Sequence, residues 1–131
     1  MPSLQTVESF VHLVESGKTV EAMVRFYADH ASMQENAAPP RVGKRALIQH
    51  EEAALASIAS MQARCIRPVF VSGDFVVIRW VFEILDKQGQ TVRFEELAHQ
   101  RWEGDLIAEE RFVYDPAQLK QPGPPQQGDG G

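Results

Sequence analysis

Three polar side chains interrupt an otherwise apolar pattern in the second half of this 131-residue chain: Glu96, Gln100 and Glu110. An unpaired carboxylate is costly to bury, so each acid must find a partner, a water or a raised pKa. Two carboxylates on neighbouring strands, about 7–8 Å apart on a diagonal, could share a proton or flank a ligand. The alternative is that they sit at a pocket mouth or pair with an inward arginine. Leu47, His50, Glu51, Ala54 and Ile58 recur as one helical stripe, which brings His50 and Glu51 onto or beside a buried face. A histidine there can act as general acid or base, or serve as a satisfied structural residue. Glu35 and Asn36 end a short strand beside a proline-bearing loop, where Glu35 is either a proton acceptor at a pocket rim or a solvated turn residue.

Other chemistries have weaker signals. His12, His30, His50 and His99 lack metal-ligand spacing, no glycine-rich phosphate loop follows a strand, and no serine sits in a nucleophile elbow. Cys65 is the only cysteine, which rules out an intrachain disulfide.

The elements that must carry these groups divide the chain in two. Val7, Phe10, Val11 and Val14 predict a first helix stopped by Gly17. Val20, Met23, Val24 and Tyr27 predict a second one capped by Thr19. Residues 31–36 read as a short strand, the proline-bearing segment 37–43 as a loop, and 44–60 as a third helix rich in Ala and Leu. The period then changes. Residues 64–71, 75–85, 90–102 and 106–115 are β-rich and separated by turn signals, which predicts an antiparallel meander.

Even positions carry Val76, Ile78, Trp80, Phe82, Phe94, Trp102, Phe112 and Tyr114, whereas odd ones carry Arg79, Glu83, Arg93, Glu95 and Arg111. Side chains alternate along a strand, so the even set forms the inner face. A three-residue loop over 103–105 keeps both final strands in phase, with Trp102 opposite Leu106, Glu96 opposite Phe112 and Ala98 opposite Glu110. The fold expected is α+β: a curved antiparallel sheet wrapped by N-terminal helices into a cone with an internal pocket. The domain spans 1–116, and the Gln-, Pro- and Gly-rich tail 117–131 is expected to be disordered.

Composition agrees with one globular domain: 44% apolar, 24% charged, net charge −5 and no basic run. That balance argues against nucleic acid as a partner. No apolar run approaches membrane-spanning length and the opening residues do not read as a secretory signal, so the expected location is cytoplasmic.

The order of elements resembles the nuclear transport factor 2-like superfamily and, within it, SnoaL-like domains. Phe26-Tyr-Ala-Asp-His-Ala-Ser-Met33, Arg41-Val-Gly-Lys-Arg-Ala-Leu-Ile48, Gln100-Arg-Trp-Glu-Gly-Asp-Leu-Ile107 and Glu110-Arg-Phe-Val-Tyr-Asp115 carry the likeness over residues 5–116. The resemblance implies a pocket between sheet and helices, no cofactor, and a homodimer through the outer sheet face. Against ketosteroid isomerases, Glu35 falls at the proton-shuttling acid, but the two oxyanion donors are replaced by Phe10 and Ala98, which cannot donate. Against SnoaL-like cyclases, the acidic base matches Phe112, with Glu110 one inward position earlier. The Asp-Arg-Asp cluster of limonene epoxide hydrolases has no counterpart.

Two main readings follow. One is a small-molecule-binding domain catalysing isomerisation, cyclisation or hydration of an apolar substrate. In it Glu35 or Glu110 is the base and His50 assists, Glu96 and Gln100 orient polar substrate atoms, and Phe10, Trp80, Trp102, Phe112 and Tyr114 form the wall. The other is a non-catalytic ligand-binding or dimeric interaction module, in which the cone could even be filled by its own side chains.

Overall fold

Ser3 opens the first helix, α1 (Leu4–Glu15), by accepting a hydrogen bond from the Thr6 N–H at 3.0 Å. Val7, Phe10, Val11, Leu13 and Val14 bury one side of it, and Gly17, at φ 80°, turns the chain out of the helix. The computed structural model describes residues 1–120. It continues with α2 (Thr19–Phe26), β1 (Tyr27–Glu35), β2 (Arg41–Val42) and α3 (Lys44–Ala56). Four long strands follow: β3 (Ile58–Ser72), β4 (Phe75–Asp86), β5 (Thr91–Glu103) and β6 (Leu106–Val113).

The strands form one six-stranded sheet in the order β2-β1-β6-β5-β4-β3. It is antiparallel throughout except where β1 lies parallel to β6. The three helices cover one face, where Val76, Ile78, Gln100, Trp102 and Ile107 are completely or almost completely buried. Arg67 of β3 ties α1 across the sheet, with Nη2 at 2.8 Å from Glu8 and 3.2 Å from Glu15. Glu15 also accepts the Cys65 N–H at 3.0 Å, so the helix axis is fixed at its C-terminal end. Among the described residues, no helix is long and apolar enough to cross a membrane.

The architecture agrees with the α+β expectation, but several boundaries and one register differ, and the segment 37–43 expected to be a loop carries β2, paired with β1. The second helix stops at Phe26, and Tyr27 adopts an extended conformation to open β1. The strand expected at 31–36 therefore begins four residues earlier. The third helix ends at Ala56 rather than 60, and Ile58 begins β3 instead of completing a helical stripe. At the far end, Pro116–Lys120 form a short 3₁₀ turn; the rest of the tail expected to be disordered, residues 121–131, lies outside the described residues.

The register correction concerns β5 and β6. Glu103 pairs with Leu106 and Trp102 with Ile107, so the connection is the two-residue turn Gly104-Asp105, with Gly104 at φ 61°. A bulge between Arg101 and Trp102 then absorbs one extra residue, Ala108, on β6. Beyond it Gln100 faces Glu110 and Ala98 faces Phe112. The bulge restores the even positions to the inner face and leaves both Ile107 and Ala108 buried, while Leu106 turns outward.

Candidate functional site

Between the helices and the inner sheet face lies a cavity of about 200 Å³. Its sheet side is aromatic. Trp80 and Phe82 of β4 stand 5.9 Å apart between ring centroids, and Phe82 stacks on Phe94 of β5 at 5.2 Å. Phe10, Val14 and Met23 close the helical side, and Phe112 and Met33 the β6 and β1 side. Four carboxylates reach this apolar space: Glu35 of β1, Glu51 of α3, Glu96 of β5 and Glu110 of β6. Glu35 and His50 are solvent-exposed, so they mark the mouth; Glu96 and Glu110 are buried at the floor.

Glu110 is held from two directions. The Tyr27 O–H donates to its Oε1, and the Gln100 Nε2–H donates to its Oε2 at 2.6 Å. The Trp102 Nε1–H in turn donates to Gln100 Oε1 at 2.9 Å. An indole nitrogen can only donate, so it fixes which end of the Gln100 amide is oxygen and therefore which end faces Glu110. Both oxygens of Glu110 thus act as acceptors. Only the phenol of Tyr27 can reverse its role when Glu110 takes up a proton.

Glu96 is the opposite case. It is 9% exposed and lines the cavity, yet it has no hydrogen-bond or ion-pair partner among the described residues. Burial pushes its carboxyl up to about 8, and the charges of Glu110, Glu35 and Glu51 add to the effect. Burial also raises Glu110, to about 7, although the hydrogen bonds from Tyr27 and Gln100 work against it. Glu51 is raised by desolvation and then by Glu35. Burial and the adjoining carboxylates lift the Tyr27 phenol well above its ordinary range, so it stays protonated. The site therefore contains two acids that exchange protons near neutrality, in the setting general acid–base chemistry requires.

Of the acid–base groups expected from sequence, Glu35, His50 and Glu110 line the cavity; of the expected wall, Phe10, Trp80, Glu96 and Phe112 do. Gln100 and Trp102 do not. They are buried behind Glu110 and hold it in place. Tyr114 also lies off the lining, and its O–H reaches Glu35 Oε2 at 3.4 Å. The residue the sequence reading missed is Tyr27, which helical spacing had assigned to the apolar stripe of α2. Its local signal is poor, because exposed Asp29 interrupts the alternation and the β1–β6 register shifts between Tyr27 and Ser32.

A profile of the SnoaL-like domain matches residues 7–110, which contain every cavity group except Phe112. The chain belongs to the SnoaL-like domain family. Solved structures of this SnoaL-like fold include a Mesorhizobium loti protein assigned as a SnoaL-like polyketide cyclase. It is 23% identical, with a TM-score of 0.71 over 84% of this chain and 97% of that one. An LEH-like epoxide hydrolase from M. tuberculosis is 12% identical, with a TM-score of 0.73 over 89% and 85% of the two chains. A Catenulispora acidiphila protein with a ketosteroid isomerase-like fold, in complex with trimethylamine, is 17% identical, with a TM-score of 0.76 over 94% and 95%. These likenesses concern the fold. No curated protein matches the sequence.

Proposed function

We propose that this SnoaL-like domain binds a small, largely apolar molecule in the cavity and moves a proton on it, in an isomerisation, cyclisation or hydration. Glu96 is the acid–base group that meets the substrate. Glu110, oriented by Tyr27 and Gln100, is its charged neighbour and second proton site. Glu35 and His50, at the mouth, pass protons between the cavity and solvent. The observation that carries this reading is Glu96, a residue only 9% exposed whose unpartnered carboxyl opens on the cavity beside an aromatic wall. A protein that used the cavity only as packing would have little reason to hold such a group. The role differs from the sequence expectation, which gave proton abstraction to Glu35 or Glu110 and only orientation to Glu96.

The volume limits the ligand. An engineered cavity of about 150 Å³ admits benzene, whereas drug-sized ligands occupy about 300–1,000 Å³. About 200 Å³ suits one ring or a compact branched molecule. The compound 1,2-benzisoxazole fits that limit: a carboxylate base in an apolar site takes its C3 proton as the N–O bond breaks, the electron pair leaving on oxygen to give 2-cyanophenoxide. Turnover is expected to rise with pH through about 7–8 as the bases ionise, and to be lost in Glu96→Gln. Equal rates for wild type, Glu96→Gln and Glu110→Gln would instead favour a binding module.

The proposal also places two copies back to back through the outer sheet face in the cytoplasm. Supporting the dimer, Phe70, Phe75, Leu97 and Val113 are 64%, 46%, 43% and 48% exposed, Leu97 pairs directly with Val113, and Phe75 lies 5.6 Å from His99 between ring centroids. Supporting the location, the single cysteine, Cys65, is buried and free.

A further inference from the structure

The cavity gathers more carboxyl groups than proton transfer on a neutral molecule needs, and among the described residues no lysine or arginine balances them. Its carboxylates come from three strands and one helix: Glu35 on β1, Glu96 on β5, Glu110 on β6 and Glu51 on α3. No lysine or arginine lines it. The arginines with carboxylate partners, Arg25, Arg67, Arg79, Arg93 and Arg101, use Glu21, Glu8 with Glu15, Glu95, Glu83, and Glu103 with Glu109, all outside the cavity. Glu96, nine-tenths buried and turned to the cavity, therefore lacks the counter-charge that a buried carboxylate ordinarily has.

The wall supplies the complementary half. Trp80 pairs directly across the strands with Glu96, and its ring continues into those of Phe82 and Phe94. Ring faces attract cations, and the attraction grows when water is excluded. Carboxylates set beside aromatic rings along one sheet wall, with no competing cation, make up the chemistry that recognises ammonium groups. A neutral ligand would leave the carboxylates to be protonated or to repel one another.

We infer that the cavity takes a small organic cation, a compact alkylammonium ion whose charge sits beside Glu96 and whose carbon groups lie against Trp80, Phe82 and Phe94. The inference rests on the reading that this cavity is a ligand site, and it names the class of ligand. Seven to ten heavy atoms suit the volume.

Proton linkage follows from it. A permanent cation favours ionised Glu96, so it must displace the proton that Glu96 holds below about 8. If only the ionised form binds, affinity rises by roughly 90-fold between pH 6 and pH 9. Glu110 and Glu51, both raised by burial, act in the same direction, and Glu35 and His50 face the cavity from its mouth. Tyr27 keeps its proton throughout, and Tyr114, on Glu35, is likewise raised. No titratable group reaches the cavity from α1, α2, β3 or β4.

Choline and its neutral carbon isostere, 3,3-dimethylbutan-1-ol, have the same shape and differ in charge. Isothermal titration of the full chain with each, from pH 6 to pH 9, is expected to give choline binding that strengthens with pH and releases protons. The isostere should bind more weakly, with no such rise. Glu96→Gln, its fold checked by circular dichroism, should lose at least tenfold in choline affinity at pH 9; Glu51→Gln, farther toward the solvent side, should lose less. Isostere binding equal to that of choline, or no choline binding at pH 9, overturns the inference. Turnover of 1,2-benzisoxazole without choline binding would overturn it alone, and choline binding without turnover would overturn only the catalytic reading.

Discussion

Replacing Glu96 with glutamine should make this protein more stable in alkali while leaving it nearly unchanged in acid. The folded-state pKa of Glu96 is about 8 against an ordinary 4.5. Below pH 4.5 the group is protonated in both folded and unfolded chains and has no effect on the balance. Between 4.5 and 8 the folded chain keeps the proton that the unfolded chain has released, so stability falls as pH rises through that window, and the fall is complete once the folded pKa is passed. A shift of that size corresponds to roughly 3–5 kcal/mol, a large share of the 5–15 kcal/mol typical of a domain. Glutamine cannot ionise, so Glu96→Gln escapes this loss. Urea unfolding at pH 5, 7 and 9 measures the difference directly. Variant and wild type should agree within about 1 kcal/mol at pH 5, and the variant should be the more stable by several kcal/mol at pH 9. A gap independent of pH, or one that favours wild type as pH rises, would refute a desolvated, unpaired Glu96.

Two further outcomes follow from the same structure. Tyr27→Phe removes one of the two donors to Glu110 without altering the cavity outline. A hydrogen bond to a charged group contributes about 1.5–3 kcal/mol, so the Glu110 pKa should rise by one to two units from about 7. The shift would appear as an alkaline displacement of the lower limb of the pH–rate profile. On the outer face, sedimentation should find a dimer in wild type, and the pair Phe70→Lys with Leu97→Lys should convert it to a folded monomer; a monomeric wild type would remove the proposed interface.

Much of this site could be read from the sequence because strands announce their faces. The even positions of β4 and β5 place Val76, Ile78, Trp80, Glu96, Ala98, Gln100 and Trp102 inward, and all seven are buried. What escaped were boundaries where two periods fit the same residues. Tyr27 continues the helical spacing of Met23 and Val24 yet begins β1, and only the sheet contact with β6 decides between them. Ile58 extends the Ala- and Leu-rich helix just as well as it starts β3, because Ser57 is a weak stop. The bulge was hidden for a similar reason. Ile107 and Ala108 are both apolar, so either could be the inward residue, and burying both satisfies the core. Three consequences of tertiary structure had no local signature at all: the hydrogen bonds that commit Gln100 to Glu110, the absence of any partner for Glu96, and the outward position of Leu106.

Glu96 holding a proton near neutrality inside the cavity underlies both the proton transfer and the cation binding. Carbon-13 titration of the side-chain carboxyls in labelled protein, with the Glu96 resonance assigned by its absence in Glu96→Gln, measures this without any ligand. The account predicts a midpoint near 8. A midpoint near 4.5 would contradict it.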